Sequence, residues 1–190
     1  MSEARDGPVT RARPLSGAKI GSLIGCVGGL AFYLVNAGPL PGAWPVLMRV
    51  LGVLLFVGIV ALVLRARVIG RGVEPSQRQL RAYGGTVIAE VVAIIVGSRL
   101  LVTLTGEPGV GLPWVAIVLG IHFVVFAPIF REPVFAWFGV PIALCGVVGL
   151  VLVLSGTSPA TIGVVAGILP GTIMFGAVAW SAWVGRPRAG

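Results

Sequence analysis

Residues 86–97, TVIAEVVAIIVG, decide what kind of fold this chain adopts. The stretch is apolar throughout, apart from a threonine at its start and one carboxylate, Glu90. With its neighbours it forms an apolar run over 82–104, which as a helix rising ~1.5 Å per residue is long enough to cross the ~30 Å hydrocarbon core of a bilayer. The run therefore predicts a membrane-spanning helix that carries an acid inside it.

The composition extends this prediction to the whole chain. Of 190 residues, 57% are hydrophobic and 11% are charged, whereas soluble domains carry about 25% charged residues. The apolar runs lack the alternation of barrel strands, so we predict an all-α, polytopic membrane protein with six transmembrane helices. The predicted spans are 17–38, 46–66, 82–104, 112–130, 134–155 and 161–183. We expect 17–185 to form one transmembrane domain, with a disordered cytoplasmic tail at 1–16 and a second tail at 186–190.

The net charge of +8 is unevenly distributed between the two ends of the spans. Only Arg49 and Arg99 fall on one side, against twelve basic residues on the other. Those twelve are Arg5, Arg11, Arg13, Lys19, Arg65, Arg67, Arg71, Arg78, Arg81, Arg131, Arg186 and Arg188. The positive-inside rule then places both termini in the cytoplasm, and we expect the membrane to be a bacterial inner membrane. Because orientation and contact with anionic headgroups explain the charge, the predicted partner is the lipid bilayer and not a nucleic acid.

Two ladders of glycine at every fourth position lie in the first and last spans. They are Gly17, Gly21, Gly25 and Gly29, and Gly163, Gly167 and Gly171. Small residues at this spacing let helices approach closely. We expect packing surfaces, which meet in depth near Gly29 and Gly171 and which also suit a second copy of the chain or another membrane protein.

Three hairpins show a related pattern, with a proline at the turn and a glycine in the following helix. The pairs are Pro39 and Gly52, Pro108 and Gly120, and Pro159 and Gly171. Three related hairpins predict a six-helix bundle with a pseudo-threefold axis, since parallel repeats of this type occur in transporters. The alternative is chance alignment, because the chain contains 29 glycines and 14 prolines.

Three ionisable residues fall inside predicted spans: Glu90, Arg99 and His122. Charged residues at a helix centre cost at least ~2.5 kcal/mol for Asp, Lys or Arg on the most lenient scale, and they usually mark function. The helical face of Glu90 is small and polar, which predicts that it faces the bundle interior. That face contains Tyr83, Thr86, Gly97 and Ser98.

Glu90 and His122 are expected to lie at nearly the same depth in one hairpin, and the sequence leaves open whether their side chains touch. Glu90 lies 17 residues before Glu107 in the turn, and His122 lies 15 residues after it, so both reach nearly the same depth. A Glu–His pair in low dielectric shares a proton or forms an ion pair, which suits a proton-coupled switch or a substrate site. The structural alternative is an interhelical hydrogen bond that fixes packing, worth about 0.6 kcal/mol.

Residues nearer the predicted outer surface have simpler interpretations. Arg99 extends to the outer interface, or else binds an anionic group there together with Arg49 and Glu107. The tryptophans fit interfacial belts. Trp44 and Trp114 lie on the outer side, and Trp137, Trp180 and Trp183 lie on the inner side.

The sequence predicts no metal, no cofactor and no catalytic residue. Cys26 and Cys145 with one histidine do not have the spacing of a zinc site, and two isolated thiols in spans are usually small buried hydrophobes. Phosphate-binding and hydrolase motifs are also missing from the sequence.

Two segments carry a resemblance, AYGGTVIAEVVAI at 82–94 and PWVAIVLGIHFVVFAPIFR at 113–131. Over this quarter of the chain, the protein resembles a group of small, uncharacterised six-helix integral membrane proteins of actinobacteria. The resemblance implies a six-helix fold and draws attention to Glu90, Gly120, His122 and Phe123. It implies no activity.

Three functions remain open. The leading hypothesis is a small proton-linked transporter or permeation module, with Glu90 and His122 as its midplane site and Arg99 as an outer gate. The second is a non-catalytic membrane scaffold or subunit that packs through the glycine ladders. The third is a membrane-embedded enzyme acting on a lipid or quinone, with the pair as acid and base. We favour the enzyme least, because no nucleophile or metal set accompanies the pair.

Overall fold

A computed structural model describes residues 17–66 and 76–184. Within these ranges the chain forms six helices and no strand. They are α1 (Gly17–Asn36), α2 (Trp44–Arg65), α3 (Gln77–Thr105), α4 (Gly111–Phe130), α5 (Val134–Leu154) and α6 (Pro159–Val184). All six are long and apolar enough to cross a membrane. The prediction of an all-α, multi-pass membrane protein is confirmed, while the predicted tails at 1–16 and 186–190 lie outside the described residues.

Helix α3 begins five residues earlier than its apolar run. Ser76 and Gln79 form a capping box, in which the Ser76 hydroxyl accepts from the Gln79 backbone and the Gln79 side chain accepts from Ser76 N at 2.8 Å. This reciprocal cap satisfies two backbone donors at the helix start, so a polar first turn precedes the apolar part. The helix ends at Gly106, whose φ of 74° suits glycine.

The six helices pack in an open series. Helices α1, α2 and α6 pack against one another, α6 also packs against α5, α5 against α4, and α4 against α3. A closed pseudo-threefold ring would also need α2 to pack against α3, and the described residues form no comparable interface there. Helix α3 is consequently peripheral, and none of its residues is buried. We call the end where α1 begins and α6 ends the terminal side, and the opposite end the far side.

The two glycine ladders form the seam between α1 and α6. A Cβ atom at Gly171 would lie 3.0 Å from the Gly29 carbonyl oxygen, and one at Gly25 would lie 3.1 Å from Val178. Near the far side, Gly163 and Gly167 pack against Asn36. The expected meeting of Gly29 and Gly171 is confirmed. The seam also continues beyond this point, toward Val178 on the terminal side and toward Asn36 on the far side.

The outer members of the α1 ladder do not extend this seam. A Cβ atom at Gly21 would have nothing within 4 Å, and Gly17 is the first residue of α1. The other five ladder glycines are packed inside one copy of the chain, and pairing with a second copy or a partner through the ladders stays a prediction.

The closest helix pair is α4 with α5, whose backbones touch. A Cβ atom at Gly139 would lie 2.6 Å from the Gly120 carbonyl oxygen, and one at Gly146 would lie 2.6 Å from Ile117 N. Only glycine fits at such positions, because the atoms opposite belong to the backbone and cannot rotate away. No prediction from the sequence covers this seam, although Gly139 and Ala143 have the small-residue spacing that indicates it.

Candidate functional site

Glu90 and His122 are in contact at the middle of the α3–α4 seam. His122 Nδ1 lies 3.0 Å from Glu90 Oε2. The side chains are 9% and 15% exposed, respectively, so the pair is largely enclosed by the protein. The sequence predicted only that the two residues lie at nearly the same depth, and the structure shows that their side chains also touch.

The contact has the length of an ordinary N–H···O hydrogen bond but lacks the direction of one. His122 Nδ1 is buried and has no hydrogen-bond partner among the described residues. A buried polar atom left unsatisfied costs about 1–3 kcal/mol. A proton shared between Nδ1 and Oε2 would satisfy both atoms.

The face of α3 that carries Glu90 is the face that packs on α4. Tyr83 and Gly97, two turns to either side, contact α4 residues, whereas Ile88 and Ile95 on the other flanks are exposed. The stripe predicted from the sequence therefore faces the bundle, because α4 is the neighbour that α3 packs against.

Two polar residues of that stripe do not join the site. The Thr86 hydroxyl donates to the Ala82 carbonyl oxygen at 2.9 Å, within its own helix. Ser98 is half-buried but lies eight residues beyond Glu90, which is about 12 Å along a helix. The predicted roles of Thr86 and Ser98 beside the pair are not supported by this geometry.

An aromatic cluster closes the site on its terminal side. The Phe126 ring lies 3.9 Å from the His122 ring between centroids, and Tyr83 of α3 stacks on Phe126 at 5.3 Å. The cluster consists of Tyr83, Phe123, Phe126, Phe130 and Phe135. The sequence signal was the spacing of three and four residues between the α4 phenylalanines, which places them on one helical face.

Trp114 closes the seam on the far side. Its ring occupies the space beside Gly97, and its Nε1–H donates to the Ala93 carbonyl oxygen at 2.8 Å. The missing side chain of Gly97 makes room for the indole between the two helices, and the interfacial-belt role of Trp114 stays a prediction. Trp44 and Trp137 are exposed, as residues of such belts are.

The arginines of α3 lie away from the pair. Arg81 and Arg99 are each nine residues from Glu90, which on a helix means half a rotation and about 13 Å along the axis. Both are exposed. The structure does not bring Arg99 to Glu90. The Nε–H of Arg49 donates to the Leu34 carbonyl oxygen at 3.1 Å near the end of α1, where a cation suits the helix dipole.

The helices facing Glu90 contain little other charge. Helices α4, α5 and α6 hold no Asp, Glu, Lys or Arg, and their only ionisable side chains are those of His122 and Cys145. His122 is therefore the only group on these helices that can neutralise the Glu90 carboxylate. Within the described ranges, no cluster of three His, Cys, Asp or Glu side chains could hold a metal ion.

Comparisons with protein-family models, with characterised proteins and with solved structures found no match to this chain. The site is therefore interpreted from its geometry.

Proposed function

We propose that this membrane protein is a small proton-linked transporter or permeation module, with Glu90 and His122 as its proton-binding site. The observation that carries the proposal is the 3.0 Å contact between the two side chains at the middle of two adjacent spans. Ionisable residues at this depth are costly and typically mark ion or proton pathways.

The packing around the pair suggests which part moves. Helices α4 and α5 are in backbone contact through Gly120 and Gly139, whereas α3 has no buried residue and packs on α4. A proton gained or lost changes the attraction between Glu90 and His122, and with it the attachment of α3. Helix α3 is held by one face, and one proton on the pair changes how strongly it is held. A two-state switch requires an element of this kind.

A scaffold is the second candidate, and a specific observation favours it. Helix α3 is attached to α4 by a few polar contacts, among them the Glu90–His122 pair and the hydrogen bond from Gln79 Nε2 to the Ile129 carbonyl oxygen at 2.8 Å. In this case the pair serves to fix α3 in place. Replacing Glu90 would then lower stability without altering proton movement.

Proton flux in liposomes separates the two candidates. The protein is reconstituted with a pH-sensitive dye inside, the membrane potential is clamped with potassium and valinomycin, and a pH step is imposed. We expect wild type to dissipate the step faster than Glu90→Gln, which should match protein-free liposomes. Glu107→Gln, the same change in an exposed turn, is the matched control and should behave as wild type.

The outcome against a proton-linked function is equally definite. Equal rates for wild type and Glu90→Gln, or a wild-type rate no faster than that of empty liposomes, would refute it. Infrared spectra of the two proteins at stepped pH provide a second measurement. The carbonyl band of a protonated carboxyl should appear in wild type and be missing from Glu90→Gln.

The cellular setting is also a proposal. Among the described residues, Lys19, Arg65, Arg78, Arg81 and Arg131 lie toward the terminal side, whereas only Arg49 and Arg99 lie toward the far side. This bias supports an orientation with both termini in the cytoplasm, and we propose that the membrane is a bacterial inner membrane. Membership in the actinobacterial six-helix group is supported by the same residues that carry the resemblance. Reporter fusions active only in the cytoplasm or only in the periplasm, placed at the C-terminus, test the orientation.

A further inference from the structure

The charge, the rings and the exposed seam around Glu90 together indicate what else the site binds. Three features are independent of one another: an acid with no fixed cation beside it, an aromatic cluster against its histidine partner, and a side open toward the bilayer. Each restricts the chemistry of a ligand in a different way.

The charge of the site favours a cation. With His122 neutral, the Glu90 carboxylate gives the pair a net charge of −1. Arg78, Arg81 and Arg99 are exposed. Arg81 and Arg99 are nine residues from Glu90, which places them on the opposite face of α3. The facing helices add no charge. His122 Nδ1, buried and unpartnered, leaves the pair able to hold one proton when no other cation is present.

The rings favour an organic cation over a metal ion. Phe126 lies against His122 at 3.9 Å and is itself in contact with Tyr83 and Phe123. These rings cover one another and leave Phe126 only 6% exposed, so they make the surroundings of the pair apolar, which suits a cation with an apolar surface. One carboxylate provides too few oxygen ligands for the hard divalent cations.

The route of access favours a lipophilic molecule. Along the seam, Trp114 blocks the far side and the aromatic cluster blocks the terminal side. Helix α3 forms no substantial interface with α2, so the flank of the α3–α4 seam faces the bilayer. The Glu90 side chain retains 15% of its exposure. A ligand that reaches Glu90 from this flank must first dissolve in lipid.

We propose that Glu90 and the aromatic cluster form a binding site for lipophilic organic cations, which enter from the bilayer between α2 and α3. The cation binds to the carboxylate and displaces the proton shared with His122. Because the seam is closed at both ends, that proton is released to water only when α3, which is held by one face, moves away from α4. No covalent bond changes. The inference rests on the proposed proton-linked function and names the substrate class of the same site.

Tetraphenylphosphonium, a lipophilic cation, is a suitable probe because tetraphenylborate has the same shape and the opposite charge. Equilibrium dialysis of purified protein in detergent measures both. We expect saturable binding of the phosphonium that weakens as the pH falls, and no saturable binding of the borate. Glu90→Gln should weaken phosphonium binding at least tenfold, while Glu107→Gln should leave it unchanged.

Proton release provides a test that needs no variant. Adding tetraphenylphosphonium to wild type in weakly buffered solution should acidify the solution, with close to one proton released per cation bound at a pH where the pair is protonated. Equal binding of phosphonium and borate, or binding unaffected by Glu90→Gln, would overturn the cation site. Cation binding without proton release would overturn the exchange.

Failure of this inference can be told apart from failure of the proposed function. If the infrared carboxyl band of Glu90 and the proton flux are present but phosphonium does not bind, the cation site is refuted and proton binding stands. If neither the band nor the flux depends on Glu90, the proposed function itself is refuted.

Discussion

Replacing Gly120 by alanine would place a methyl group inside the backbone contact between α4 and α5. The new Cβ atom would lie against Ala143 N, 2.6 Å from the Gly139 carbonyl oxygen and 2.7 Å from Ala143 Cα. All three atoms belong to the backbone of α5, so no side chain can rotate to make space. The two helices would have to separate.

The magnitude follows from two opposing effects. Overpacking a tight contact costs about 1–3 kcal/mol, and the rigid backbone opposite places Gly120→Ala near the upper limit. The gain in helix propensity from glycine to alanine offsets about 1 kcal/mol of that cost. We expect a net loss of about 2 kcal/mol in the free energy of unfolding, or roughly a thirtyfold change in the folded-to-unfolded ratio.

The free energies of unfolding of wild type and Gly120→Ala are measured by titration with sodium dodecyl sulfate in mixed micelles, with circular dichroism reporting the loss of helix. Gly85→Ala is the matched control, because a Cβ atom at Gly85 would have nothing within 4 Å. It should be neutral or stabilising by up to about 1 kcal/mol. If Gly120→Ala unfolds at the same detergent fraction as wild type or a higher one, the backbone contact is not as described.

The same seam predicts non-additivity. Gly139→Ala introduces a second methyl group into the gap that Gly120→Ala would already have widened, since each Cβ atom faces the other residue's carbonyl oxygen. The double variant should therefore lose less stability than the sum of the two single changes. Full additivity would mean that the two glycines do not share one contact.

Two further variants test single hydrogen bonds in the same detergent titration. Trp114→Phe removes the donor to the Ala93 carbonyl oxygen at 2.8 Å but keeps a ring beside α3, and should cost about 1 kcal/mol; no change would argue against this contact. Tyr33→Phe removes the 2.7 Å hydrogen bond with Thr172 and should cost about 0.6 kcal/mol, the average for bonds between membrane helices. A loss of several kcal/mol would show instead that Tyr33 supports the wider packing of α1 and α6.

The spans and the shared depth of Glu90 and His122 were predictable because both depend on local distances along the chain. A run of apolar residues has to be as long as the bilayer is thick. Two residues at similar distances from one hairpin turn have to lie at similar depths. These are one-dimensional constraints, and the sequence states them directly.

The threefold arrangement and the position of Trp114 were not predictable in this way. Whether α2 packs against α3 depends on how two hairpins meet, which the internal pattern of each hairpin does not determine. In the sequence, Trp114 resembles any tryptophan near a membrane surface. Its packing depends on Gly97 of the neighbouring helix, which has no side chain and so leaves space for the indole ring. The aromatic cluster likewise combines residues of α3, α4 and α5.

The sequence by itself determined that this chain crosses a membrane six times and carries an acid and a histidine at one depth. These features can be read from the sequence because a polar group costs free energy inside hydrocarbon, and that cost depends on the depth of each residue and not on its neighbours in space. Only the tertiary structure decided which faces meet. The rotation of α3 about its axis turned Glu90 toward His122 and its arginines away, and that rotation is set by side chains packing on α4.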